Sequence, residues 1–71
     1  MSELIFEVSQ EGDGGFVAEC LTESIVTEAD TWEQLRQNVR EAVSGYYFDA
    51  PDTMPRTIRL HLQRDEVLAT A

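Results

Sequence analysis

The sequence predicts an α+β domain of β-β-β-α-β order, a mixed four-stranded sheet with one helix on one face, and three patterns carry that reading. Leu4, Phe6 and Val8 alternate with Glu3, Ile5, Glu7 and Ser9, and Ile58, Leu60 and Leu62 alternate with Thr57, Arg59, His61 and Gln63. A period of two marks strands with one face inward. Between them, Trp32, Leu35, Val39, Ala42, Val43 and Tyr46 recur at spacings of three and four, which places one apolar stripe on a helix. The 71 residues leave room for a single domain, 1–71, with one core.

Taken in order, the first strand runs into Gln10-Glu11-Gly12-Asp13-Gly14-Gly15, where Asp-Gly predicts a tight reversal because glycine adopts positive φ cheaply. Phe16 to Leu21 returns as the second strand. Thr22 and Glu23 break the chain before Ser24 to Glu28, whose Ile25, Val26 and Thr27 favour an extended backbone. The helix starts at Asp30, with Glu33 reaching back to it, or at Thr31, with Gln34 in that role. Trp32 and Tyr46 are expected in the core, while Gln34, Arg36, Gln37, Arg40 and Glu41 face water. The segment Asp49 to Pro55 holds both prolines and cannot continue the helix, so it is a surface loop. A helical connection between the third and fourth strands predicts a right-handed crossover, with the last strand parallel to the one it joins. One helix covers one face of such a sheet. The other face, carrying Glu7, Glu19, Arg59 and His61, is left for solvent or a partner.

Composition narrows the function classes. The net charge is −9, yet residues 1–35 hold nine acids and no base, whereas residues 36–71 hold five acids and five arginines. The imbalance therefore belongs to the first half. Such a field repels a phosphate backbone and attracts a basic protein, so no direct DNA binding is expected. The N-terminus has neither a basic start nor a long apolar run, which predicts no membrane segment and a cytoplasmic protein.

Catalytic chemistry finds little to stand on. His61 is the one histidine and has no nucleophile or orienting group placed beside it by the sequence. A cross-strand contact with an acid such as Glu7 is the simpler reading of it. Cys20 is the single cysteine, cannot form an intrachain disulfide, and reads as a small apolar group packed inside a strand. Glu7 and Glu19 are the only suggestion of a two-metal acid pair, and no complete ligand set accompanies them. Neither a metal nor a cofactor is expected, no catalytic residue is assigned, and the chain is not expected to be an enzyme. A core this small usually leaves only about 3–5 kcal/mol, which predicts a homo-oligomer, dimer or tetramer, with Tyr47 and Phe48 as the candidate subunit contact.

Two blocks of residues resemble a known family over most of the chain. They are Asp13-Gly14-Gly15-Phe16-Val17-Ala18 at the hairpin, and Thr27-Glu28-Ala29-Asp30-Thr31 leading into Trp32-Glu33-Gln34-Leu35, with Asn38 and Glu41-Ala42 inside the helix. The chain resembles the HicB antitoxins of toxin-antitoxin systems. That resemblance implies a partial ribonuclease-H-like fold and a role in covering a small basic mRNA-cleaving toxin, HicA. Longer relatives in that family carry a C-terminal DNA-binding segment. This sequence stops a few residues after its fourth strand, so repression by it alone is not expected. Glu7, Glu19 and Glu28 are the candidate partner-binding residues. The alternative is an orphan oligomeric domain with a structural or regulatory role and no antitoxin activity.

Overall fold

The computed structural model describes residues 3–70 and has the element order the sequence predicts. Strands β1 (Glu3–Gln10), β2 (Phe16–Cys20) and β3 (Val26–Ala29) precede helix α1 (Trp32–Tyr46), and strand β4 (Thr57–Gln63) follows it. They form one four-stranded sheet in the order β3-β2-β1-β4. The pairs β1/β2 and β2/β3 are antiparallel and β1/β4 is parallel, so the sheet is mixed. The helical connection accounts for the parallel pair, since parallel neighbours require a crossover.

The β1/β2 reversal is built by its glycines and one aspartate. Gly14 has φ of 94°, a conformation that side chains strain against, and its N–H donates to Glu11 O at 2.9 Å. Asp13 Oδ1 accepts from Gly15 N–H at 3.0 Å, which closes the turn locally. The β2/β3 connection is similarly self-satisfied: Cys20 N–H donates to Ile25 O at 2.9 Å. Ile25 is buried although it precedes β3, which begins at Val26 and extends to Ala29, so the third strand lies slightly later than the pattern of residues 24–28 suggests.

Between the two candidate caps, the structure selects Thr31. Its backbone is extended, at φ −130° and ψ 157°, and its Oγ1 accepts from Gln34 N–H at 3.1 Å. Replacing Thr31 with alanine leaves that donor without its side-chain partner and is expected to cost about 1 kcal/mol. Asp30→Ala, which removes no such bond, is expected to fall within about 0.5 kcal/mol of the parent. Urea denaturation of the two variants checks the assignment; an equal loss from both would remove Thr31 from the cap.

The core lies between α1 and the inner face of the sheet. Leu4, Phe6 and Val8 of β1 and Ala18 and Cys20 of β2 meet Leu35, Val39 and Val43 of α1, with Ile25 at the β2/β3 end. Phe16 and Trp32 pack edge to face at 5.4 Å beside this cluster. The C-terminal turn of α1 reverses an expectation. Tyr46 is 45% exposed and Tyr47 packs against the core. The buried positions Leu35, Val39 and Val43 advance by four, and that series continues to Tyr47, whose N–H still bonds to Val43 O at 3.1 Å. Tyr46 falls one position to the side, toward solvent. Phe48, just past the helix, is exposed. The loop after it contains one short 3-10 turn, Pro51–Thr53.

Candidate protein-binding face

Alternation along the strands sends one set of side chains into the core and the other to the opposite face, away from α1. The register fixes the neighbours on that open face. Glu7 of β1 lies between Glu19 of β2 and His61 of β4, and Val26 of β3 flanks Glu19. In the adjacent row, Glu28 sits opposite Val17, Val17 opposite Ser9, and Ser9 opposite Gln63. Leu21 N–H donates to Ile5 O at 3.0 Å and Ile5 faces Arg59, giving a third row. The structure thus brings Glu7 and Glu19 onto one face, as the alternation predicts, and the β2/β3 register adds Glu28 to it.

Two of the acids on this face have partners and two do not. Arg59 grips Glu3 through both ends of its guanidinium, Nε to Oε1 at 3.1 Å and Nη2 to Oε2 at 3.2 Å. Glu7 Oε1 accepts from Gln63 Nε2 at 3.3 Å, a neutral donor that leaves its charge in place. Among the described residues, the ion pairs are Arg59–Glu3 and Arg36–Glu33, so Glu7, Glu19 and Glu28 keep their full negative field. Glu7 and Glu19 are directly opposite each other, an arrangement that destabilises a sheet by its like charges. A cationic partner would relieve that repulsion.

Apolar side chains on this face were not singled out by the sequence pattern. Ile5, Leu21 and Val26 are exposed and Val17 is half-buried. Each is the second member of an adjacent apolar pair, Leu4-Ile5, Phe16-Val17, Cys20-Leu21 and Ile25-Val26, where strict alternation calls for a polar residue. The face therefore combines apolar contact area with acids at its centre and edge. A further acidic depression of about 400 Å³ lies around the β3 edge and the hairpin, with Glu11, Asp13, Glu28 and Asp30 in its lining. Its far wall is fixed by Asn38, whose Nδ2 donates to Glu28 O at 2.9 Å while its Oδ1 accepts from Gln34 Nε2 at 2.8 Å. The side chain of Asn38 thereby ties α1 to the edge strand.

The remaining candidates occupy plain positions. His61 is exposed beside Glu7 in register, but the Glu7 carboxylate takes its hydrogen bond from Gln63. Cys20 is buried with its Sγ 3.8 Å from Thr22 Oγ1, in the small apolar role predicted for it. Among the described residues no three His, Cys, Asp or Glu side chains converge as metal ligands, and no helix is long and apolar enough to cross a membrane. Tyr47 and Phe48, the candidate subunit contact, divide: Tyr47 turns inward against Tyr46 and the core, leaving Phe48 alone at the surface.

At the far end of α1, Tyr46 OH donates to Glu23 Oε1 at 2.8 Å, bridging the helix to the β2/β3 connection. That bond raises the Tyr46 pKa, and partial burial and the Glu23 charge act in the same direction. Tyr47 is raised too, chiefly by burial. A phenol whose pKa is higher in the folded chain contributes stability that is complete below the ordinary phenol range and is lost as pH rises through the raised value. Alkaline titration of tyrosinate absorbance should therefore show both groups ionising late. Glu23→Ala should bring Tyr46 back further than Tyr47; an unchanged titration would mean that the bridge is not formed in solution.

No protein-family model matches the chain, and no solved structure matches it. Among curated proteins it is similar to a UPF0150 protein of Thermotoga maritima, with 27% identity over 67 residues that cover 94% of this chain and 91% of the relative. The similarity extends over nearly the whole domain, so it involves the sheet and the helix together.

Proposed function

We propose that this chain is a HicB-like, non-catalytic protein-binding module that covers a small basic RNA-cleaving partner of the HicA type with the open face of its sheet. The observation that carries this reading is the composition of that face: unneutralised Glu7, Glu19 and Glu28 set among Ile5, Val17, Leu21 and Val26. Apolar contact area gives affinity once water is excluded, and the charges steer a cationic surface into register. The residue blocks that resemble HicB support the same reading, and both have structural work here. Asp13 to Gly15 makes the hairpin, while Thr31 caps the helix and Asn38 ties it to β3.

Masking is steric and electrostatic in this scheme. Lysines and arginines that would hold RNA phosphates on the partner are instead occupied by carboxylates, and the sheet blocks access to its active surface. The setting is cytoplasmic, where such a partner meets its mRNA. Co-purification with a HicA-type protein, followed by RNA-cleavage assays with and without this chain, tests the proposal. Stoichiometric loss of cleavage is the expected result. Cleavage that proceeds unimpeded in the presence of excess chain would overturn it and leave the orphan regulatory domain as the better account.

A further inference from the structure

Helix α1 does not cover the whole inner face of the sheet. It packs on β3 and β2, and the core residues of β1 beneath it are closed off, but β4 lies at the far edge. Ile58 and Leu60 are only half-buried and Leu62 is 38% exposed, although all three point to the same side as Leu4, Phe6 and Val8. A groove of about 180 Å³ remains between the helix and this strand, lined by Arg36, Val39, Arg40, Ile58 and Leu60. Its floor is apolar and its helical wall carries two arginines one turn apart. Among the described residues Arg40 makes no ion pair, and Arg36 has only an exposed contact to Glu33 at 3.4 Å.

The segment after β4 has the complementary chemistry. Residues 64–70 form neither helix nor strand, and Val67 and Leu68 are 96% and 73% exposed. The molecule is elongated, at 55 × 22 × 17 Å, with a radius of gyration of 14.2 Å where a compact chain of this length has about 11 Å. Asp65-Glu66 followed by Val67-Leu68 matches two arginines above an apolar floor. The groove is out of reach of the chain's own segment without a reversal. β4 ends beside Ser9, Arg64 and Asp65 lie against the hairpin, and Arg64 to Thr70 contains no glycine or proline to turn it back.

We infer that the Asp65–Leu68 segment of a second copy occupies the α1/β4 groove, and that reciprocal exchange of the two segments makes the chain a two-fold dimer. Asp65 and Glu66 pair with Arg36 and Arg40 of the other copy, and Val67 and Leu68 close over Val39, Ile58 and Leu60. Symmetric exchange satisfies both grooves at once, which closes the assembly at two. The open sheet face is not used, so this dimer stands or falls independently of the partner proposed above.

The test is the oligomeric state of the full chain and of a chain shortened after Arg64, by light scattering and sedimentation equilibrium at micromolar concentration. Residues 65–70 are exposed and none belongs to the core cluster, so circular dichroism should show the short chain folded. The full chain is expected to be dimeric and the short one monomeric, with association weakened at least tenfold. Arg36→Glu with Arg40→Glu should also give monomers, and adding Asp65→Arg with Glu66→Arg should restore the dimer. A monomeric full chain, a dimer that survives the deletion, or a charge swap that fails to restore association in folded protein would overturn the inference.

Discussion

Phe6→Ala is expected to leave most of the protein unfolded at room temperature. Phe6 is the largest of the fully buried side chains and sits on β1, which is bonded to β2 on one side and β4 on the other. Its ring faces the α1 stripe of Leu35, Val39 and Val43 within one cluster. Truncating a buried phenylalanine to alanine removes its transfer free energy and leaves a cavity, together about 3–5 kcal/mol. A core of this size supplies a net stability of about the same amount, so the loss consumes essentially all of it. Ile5→Ala, one residue earlier on the open face, is expected to stay within about 0.5 kcal/mol of the parent. Urea titration followed by circular dichroism separates the two cases. A cooperative transition in Phe6→Ala with a midpoint near that of the parent would mean that the domain is not organised around β1.

The contrast between Phe6 and Ile5 also shows how much of the fold the sequence pattern carries. Alternation located β1 and β4 and assigned their faces, because a half-buried strand forces a period of two and a slip of one residue would invert every side chain. The helical stripe was equally clear up to Val43. It failed at Tyr46, where two aromatic neighbours offered themselves to the same pattern and only the cap geometry of the last turn decided which one turned inward. The same limit applied at the other end of α1. Asp30 and Thr31 have almost equal preference for a cap, and the backbone of Thr31 settled the matter.

The open face was half legible. Glu7 and Glu19 are placed together by charge and alternation, since pairing in a meander sets acids on alternate positions side by side, whereas Glu28 is a candidate by charge alone and reaches this face through the β2/β3 register. What a single chain's pattern does not reveal is which strand neighbours which across the parallel pair. A contact of His61 with Glu7 is suggested by charge, but the full row from Val26 through Glu19 and Glu7 to His61 comes from the sheet order, as does the exposure of the α1/β4 groove. Both depend on where β4 was inserted, and the period of a strand carries no information about that.

Reversing Glu7, Glu19 and Glu28 to lysine is expected to slow association with a basic partner on the order of 100-fold at low ionic strength, because a steered encounter becomes a repelled one. The defect should shrink as salt is raised, since exposed charges are screened beyond the Debye length. Net charge alone predicts a similar loss from any three such changes. Glu41, Asp49 and Asp52 are exposed on the helix and the loop after it, away from the sheet, so the same reversal there is the matched control and should have a much smaller effect. Stability provides a second, opposite readout. Glu19→Lys alone replaces the repulsion across the Glu7/Glu19 pair with attraction, which is worth about 0.2–1 kcal/mol to the free domain. A surface kept for binding should thus become more stable as it loses its partner. If Glu19→Lys stabilises the domain while the triple reversal leaves both association rate and salt dependence untouched, the repulsion is real but the partner docks elsewhere. If binding falls equally in the matched control, the acidic field acts as a whole and the open face has no special role.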